Sequence, residues 1–197
     1  MEYSAGSVKY LFWFMETKET VRLLQDHNID EVHDIVLQDN VYQQKAENRI
    51  ISEFGCIRRR IESVPEELMQ ILLTTDLNSA KLITLISAMA SDRMLFELVY
   101  EVFREKLRLG EDEFKESDLN IFFGRKQDQD EKVAKWTEAT VKKLKSTYTK
   151  FLLEAGILTI DDKKAKRIVK PYIEDELRAV LLKNDMRDYL YALTGEQ

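Results

Sequence analysis

Between Ser79 and about Leu109, apolar side chains recur every three or four positions: Leu82, Ile83, Leu85 and Ile86, then Met94, Leu95, Leu98, Val99, Val102, Phe103 and Leu107. A spacing near 3.6 puts them on broad helical faces, and a stretch this apolar belongs at the centre of the fold. A run of about thirty residues is long for one globular helix, so Ser91-Asp92 reads as the cap that divides it, with Gly110 closing the second half. Only 6 Gly and 2 Pro punctuate the 197 residues, which leaves few places for the tight turns of a many-stranded sheet. The fold class expected is mainly α.

The same spacing predicts further helices. Val8, Leu11, Phe12, Met15, Val21 and Leu24 form one stripe over residues 8–24. A short helix is expected after Asp30, taken as its N-cap, ending near Asn40. A longer one is expected over about 41–63, with Ile50, Ile51, Phe54, Ile57 and Ile61 toward the core and Lys45, Arg49, Arg58, Arg59 and Arg60 on its charged side. Pro65 with Glu66 and Glu67 marks another helix start. Residues 111–131 are acidic and turn-prone, with a helix only around Leu119 to Phe123. The chain therefore divides into a helical bundle domain over 1–110 and a second domain over 111–197, whose last helices carry Leu177, Val180, Leu181, Tyr189, Leu190 and Leu193, expected to pack back on the core, with a partner surface as the alternative.

Charge separates these parts. From Lys132 to Lys170 there are eleven Lys and Arg against four acids, a net +7, which leaves −13 on the rest of a chain whose total is −6. Such asymmetry points to a polyanion-binding part on an acidic scaffold. Within the basic part, a short helix ends at Trp136, Thr137 caps a long helix, Gly156 stops it, and a hairpin follows with Lys163, Lys164, Lys166 and Arg167 at and after its tip. Two helices, the second long, and then a basic hairpin form the layout of a winged helix, in which the second helix enters the major groove and the wing touches phosphate. On the long helix Thr140, Lys143 and Thr147 share a face, Lys142, Lys145 and Ser146 flank it, and Lys150 continues the charge. Lysines of this kind neutralise phosphates rather than read bases, so weak sequence preference is expected. The plain alternative is the solvated side of an amphipathic helix. Arg58, Arg59 and Arg60 point about 100° apart on a helix, so at most two can grip one phosphate site, and surface ion pairs to Glu53 or Glu62 compete for them.

No catalytic pattern accompanies these features. His27 and His33 are six residues apart and do not share a helical face as ligands would. Neither Gly55 nor Gly110 sits in a phosphate loop, and the acid pairs Glu66/Glu67 and Asp128/Asp130 suit a helix start and a solvated loop. Cys56 is the only cysteine, which excludes an intrachain disulfide and a Cys-based zinc site and fits a reducing, cytoplasmic location. The longest nearly uncharged apolar stretch, residues 82–90, falls far short of the ~20 residues of a membrane span, and the N-terminus lacks the features of a signal peptide. A non-enzymatic protein with no cofactor, metal or membrane partner is expected.

Several short motifs carry a family resemblance: Tyr3-Ser4-Ala5-Gly6 at the start, the basic helix from Asn48-Arg49 to Arg60, the Asp92-Arg93 junction, and Trp136-Thr137 to Thr140 followed by Leu152-Leu153-Glu154-Ala155-Gly156-Ile157-Leu158. The chain resembles the BrxA family of BREX bacteriophage-defence systems over nearly its whole length. That resemblance implies an N-terminal helical bundle similar to the RNA-binding antitermination factor NusB, a nucleic-acid-binding role, and other BREX subunits as partners. It also implies a second contact surface at Arg49, Arg58 and Arg59. Duplex DNA is the ligand expected, with the nucleic-acid-binding set completed by Thr137, Thr140, Lys142, Lys143, Lys145, Ser146, Lys150, Lys163, Lys164, Lys166 and Arg167. An RNA ligand, and a protein-interaction adaptor that does not touch nucleic acid, stand as alternatives.

Overall fold

A computed structural model describes residues 1–196. The chain is mainly α. A 3-10 turn (Gly6–Lys9) leads to α1 (Phe14–Leu23), α2 (Ile29–Gln38), α3 (Glu47–Glu62), α4 (Glu66–Leu72) and α5 (Leu77–Ser91). Next, α6 (Arg93–Leu98) and α7 (Arg104–Leu109) run on continuously through a π-turn over Val99–Phe103. After α8 (Glu116–Gln129), α9 (Glu131–Ala134) and α10 (Glu138–Glu154) comes the antiparallel pair β1 (Leu158–Ile160) and β2 (Lys166–Ile168), and α11 (Asp175–Lys183) and α12 (Arg187–Thr194) close the chain.

The division at Ser91-Asp92 is made by Asp92 itself, whose Oδ1 accepts the Leu95 N–H at 3.2 Å as N-cap of α6. Gly110 takes the left-handed conformation (φ 69°) that ends α7. Other expected boundaries shift, each for a local reason. The single helix over residues 8–24 is broken at residues 10–13, because Arg60 donates to the carbonyls of Leu11 (3.0 Å) and Phe12 (2.7 Å) and Phe12 is drawn inward against Phe151. The cap of α2 is Asn28 rather than Asp30. Its Oδ1 accepts from the N–H groups of Asp30 and Glu31 at 3.0 Å, and Glu31 returns a bond to the Asn28 N–H, forming a capping box. Helix α3 starts at Glu47, six residues later than expected. Asn40 bonds Gln44 in both directions at 2.9 Å, and Asn40 and Gln43 are left-handed, so a side chain competes with the helix for the backbone. Residues 116–129, expected to hold only a short helix, form the 14-residue α8.

One large core draws on both sides of Gly110. It contains Leu82, Ile83, Leu85 and Ile86 of α5, Leu98 and Phe103 of the α6–α7 rod, Phe122 and Phe123 of α8, Leu144, Tyr148 and Phe151 of α10, and Leu190 and Leu193 of α12. A smaller cluster of Val32, Val36, Tyr42, Ile50, Phe54 and Ile57 joins α2 to α3. The final helices fold back: α12 lies on the π-turn and α7, and α11 lies on α4, where Lys183 and Asn184 both reach Glu67.

After α10 the chain makes a compact two-stranded hairpin. Asp161 Oδ1 accepts the N–H groups of Lys163 (2.9 Å) and Ala165 (2.8 Å), which with the left-handed Lys164 turns β1 into β2. The other edge of β2 is covered by residues 112–114: Ile168 N–H donates to the Asp112 carbonyl and Phe114 N–H to that of Lys166, both at 2.8 Å.

Candidate nucleic-acid interface

Helix α10 is the element on which the basic segment turns. Thr137 caps it by accepting the Thr140 N–H at 3.2 Å, and its hydroxyl also bonds that of Thr140, so both threonines are engaged in starting the helix. Val141, Leu144, Tyr148, Phe151 and Leu152 face the core. Lys142, Ser146 and Lys150, spaced by four, form an exposed stripe, and Lys143 stands exposed beside it. Lys145 is only half-exposed, with Nζ 2.8 Å from Asn120 Oδ1 and 5.7 Å from the Phe123 ring centre.

The stripe overlooks a cleft of about 340 Å³ between α8, α10 and β2, where Lys142, Lys145, Ser146 and Lys150 meet Lys166 across the gap. Leu119 and Thr149 contribute to its walls, and Glu116 adds one carboxylate at its edge. Lys163 and Lys164 are exposed at the hairpin tip. Arg167 is held between Asp161 (2.7 Å) and Asp112 (3.1 Å), which tie the hairpin to the segment 112–114 beside it and raise the pKa of the guanidinium. Its charge is answered within the protein.

The face expected to carry Thr140, Lys143 and Thr147 together is not open along its length. Thr147 is 5 % exposed, because the N-terminal segment from Val8 to Phe12 lies against α10 there. That segment brings Lys9 to a second, smaller cleft with Lys143 and Lys150. Lys9 had no signal in the sequence: it lies over 130 positions from its neighbours and outside the basic segment.

On α3 the arginines diverge as helical geometry requires. Arg58 pairs with Glu62 (2.8 Å) and Asp30 (3.1 Å). Arg59 is exposed, bonded to the Tyr10 hydroxyl at 2.8 Å and lying over its ring. Arg60 is in the core, between Trp13 and Phe151. Arg49 is exposed and close enough to Glu53 to act on its titration. The structure thus brings Lys142, Lys145, Ser146, Lys150 and Lys166 to one cleft, but leaves Lys143 at the second, Lys163 and Lys164 at the hairpin tip, and Thr137, Thr140 and Arg167 engaged within the protein, while the α3 residues are spread over different sides of their helix.

His27 lies 3.8 Å from Glu31 and His33 lies 3.2 Å from Asp34, and no group of three or more His, Cys, Asp or Glu suited to a metal occurs among the described residues. No helix among the described residues is long and apolar enough to cross a membrane.

A crystal structure of an uncharacterized protein from Magnetospirillum magneticum superposes on the whole chain with a TM-score of 0.83 and 100 % coverage of both, at 19 % identity, and so shares the fold. A Bacillus cereus protein described as BREX protein BrxA is 35 % identical over 161 residues, covering 81 % of this chain and 80 % of that one. The sequence profile of the BrxA family matches residues 1–185. The family match extends through the helical first half, α10 and the β1–β2 hairpin, and the chain belongs to the BrxA family.

Proposed function

We propose that this protein is a non-enzymatic component of a BREX bacteriophage-defence system that holds duplex DNA through a winged-helix module made of α8, α9, α10 and the β1–β2 wing. The observation that carries this reading is the cleft in which Lys142, Ser146 and Lys150 of α10 face Lys166 of β2, within a chain that is otherwise strongly acidic. The family membership and the relative's BREX description supply the defence context. Amine donors without an arginine fork suit phosphate oxygens better than base edges, and the N-terminal segment over Thr147 narrows the part of α10 that can enter a groove. The mode expected is a grip on the backbone with little sequence preference.

Polarisation binding of duplex DNA, single-stranded DNA and RNA across a salt series tests it. Each phosphate contact contributes about −0.9 to the slope of log affinity against log salt. Lys142→Gln/Lys150→Gln/Lys166→Gln therefore flattens the duplex slope by about 3 units and weakens binding evenly across sequences. An unchanged slope moves the site off α10. A second reading, a protein-interaction adaptor, draws on the exposed Leu11 (57 %) and Met15 (61 %). It is favoured if the protein binds none of the three nucleic acids.

A further inference from the structure

Between the N-terminal segment, α3 and the α5–α6 junction lies a cavity of about 110 Å³, separate from the α10 cleft. Its walls include Ser4, Ser7, Arg59, Arg60, Asp92 and Phe151. Arg60 is 2 % exposed. Its guanidinium donates to two carbonyls and lies 5.1 Å from the Phe151 ring centre and 5.7 Å from that of Trp13, but no carboxylate among the described residues forms an ion pair with it. A buried cation usually has an anionic partner, because carbonyls and ring faces replace only part of its hydration. Asp92, also in the lining, forms no ion pair with it, and its carboxyl is already taken by the Ser7 hydroxyl, the Tyr148 hydroxyl and the Leu95 N–H. Burial also favours the neutral form of Asp92. At the mouth, the exposed Arg59 donates to the Tyr10 hydroxyl at 2.8 Å, and no carboxylate among the described residues forms an ion pair with it. Two guanidiniums and the side chains of Ser4, Ser7 and Ser91 thus border a space whose single carboxylate is engaged elsewhere.

We propose that this cavity is a binding site for a phosphate group, seated on Arg60 and closed at its mouth by Arg59. The cavity has room for about three or four waters at roughly 30 Å³ each. That suits a tetrahedral oxyanion and excludes a sugar or base, so the group is either free phosphate or a terminal phosphate whose chain stays outside. The site is independent of the DNA grip on α10.

Calorimetric titration of the full chain with inorganic phosphate, at fixed ionic strength set by chloride, tests the proposal. Saturable one-site binding is expected. Arg59→Gln, at the surface and outside the core, is expected to keep the wild-type melting temperature and to weaken binding about tenfold, the scale of one charge-assisted hydrogen bond. Lys142→Gln/Lys150→Gln/Lys166→Gln is expected to leave phosphate binding unchanged, which separates this site from the α10 reading. Heats no different from those of chloride, or equal affinity in Arg59→Gln, would overturn it. Once phosphate binding is established, a matched pair of single strands with 5′-phosphate or 5′-hydroxyl ends identifies the source: tighter binding of the phosphorylated strand, lost in Arg59→Gln, assigns the group to a chain end, and equal binding assigns it to free phosphate.

Discussion

Glu53, on the inner side of α3, is 3 % exposed, with one carboxylate oxygen accepting from Gln44 at 3.0 Å and the other without a partner among the described residues. Burial lifts its pKa to about 7, and the nearby Glu16 adds to the rise, against smaller opposing effects of Arg49 and Gln44. Between the ordinary value of 4.5 and about 7 the folded protein therefore holds a proton that the unfolded chain releases. The contribution of Glu53 to stability is complete below 4.5 and is lost as the pH rises through about 7. Glu53→Gln removes that loss. Its stability gain over wild type, read from urea midpoints, is expected to grow through this window and stay level above it, and a pH-independent difference would show that the buried proton is absent. Sequence spacing put Glu53 on α3 beside the arginines but could not say that it faced inward. Likewise, the 100° rule made Arg58, Arg59 and Arg60 diverge without revealing which one was buried. That choice is made by the carbonyls of Leu11 and Phe12, almost fifty positions away.

At the scale of elements, side-chain chemistry near the caps decides more than apolar spacing. The apolar side of α8 is short, at Leu119, Phe122 and Phe123, and its next inward residue is Lys126, which is buried between Glu97 and Glu101. A charged residue turned inward is invisible to a hydrophobic pattern, which is why this helix reads as an acidic linker. By contrast α10, the turn at Gly156 and the β1–β2 hairpin are legible in the sequence because Thr137, the glycine and Asp161 act on their own neighbours. Thr137 also belongs to the binding set expected from sequence, but its hydroxyl is occupied in capping. Thr137→Ala is accordingly expected to cost about 1 kcal/mol of stability through loss of the cap, while the salt slope of duplex binding stays at the wild-type value. A flattened slope in this variant would give Thr137 a direct part in the contact.

At the scale of the molecule, the division at residue 110 meets a core that crosses it. Leu82 and Leu85 in the first part and Leu144, Phe151 and Leu193 in the second belong to one buried cluster, and α11 and α12 return to α4, the π-turn and α7. Local pattern suggested a boundary because Gly110 and the acidic residues after it look like a linker, whereas contacts between distant parts of the chain leave no periodic trace. The two tryptophans fall on opposite sides of that boundary: Trp13 packs on the small α2–α3 cluster and Trp136 on the large core. Trp13→Phe and Trp136→Phe each leave one tryptophan, so the tryptophan emission of each variant reports the unfolding around one site. A shared core couples the halves, and the tryptophan signal and far-UV circular dichroism are expected to give coincident urea midpoints within each variant, with one slope. Two transitions, with the Trp13 and Trp136 signals following different ones, would instead establish residues 1–110 and 111–197 as independently folding units, and would allow the basic module to be studied apart from its acidic scaffold.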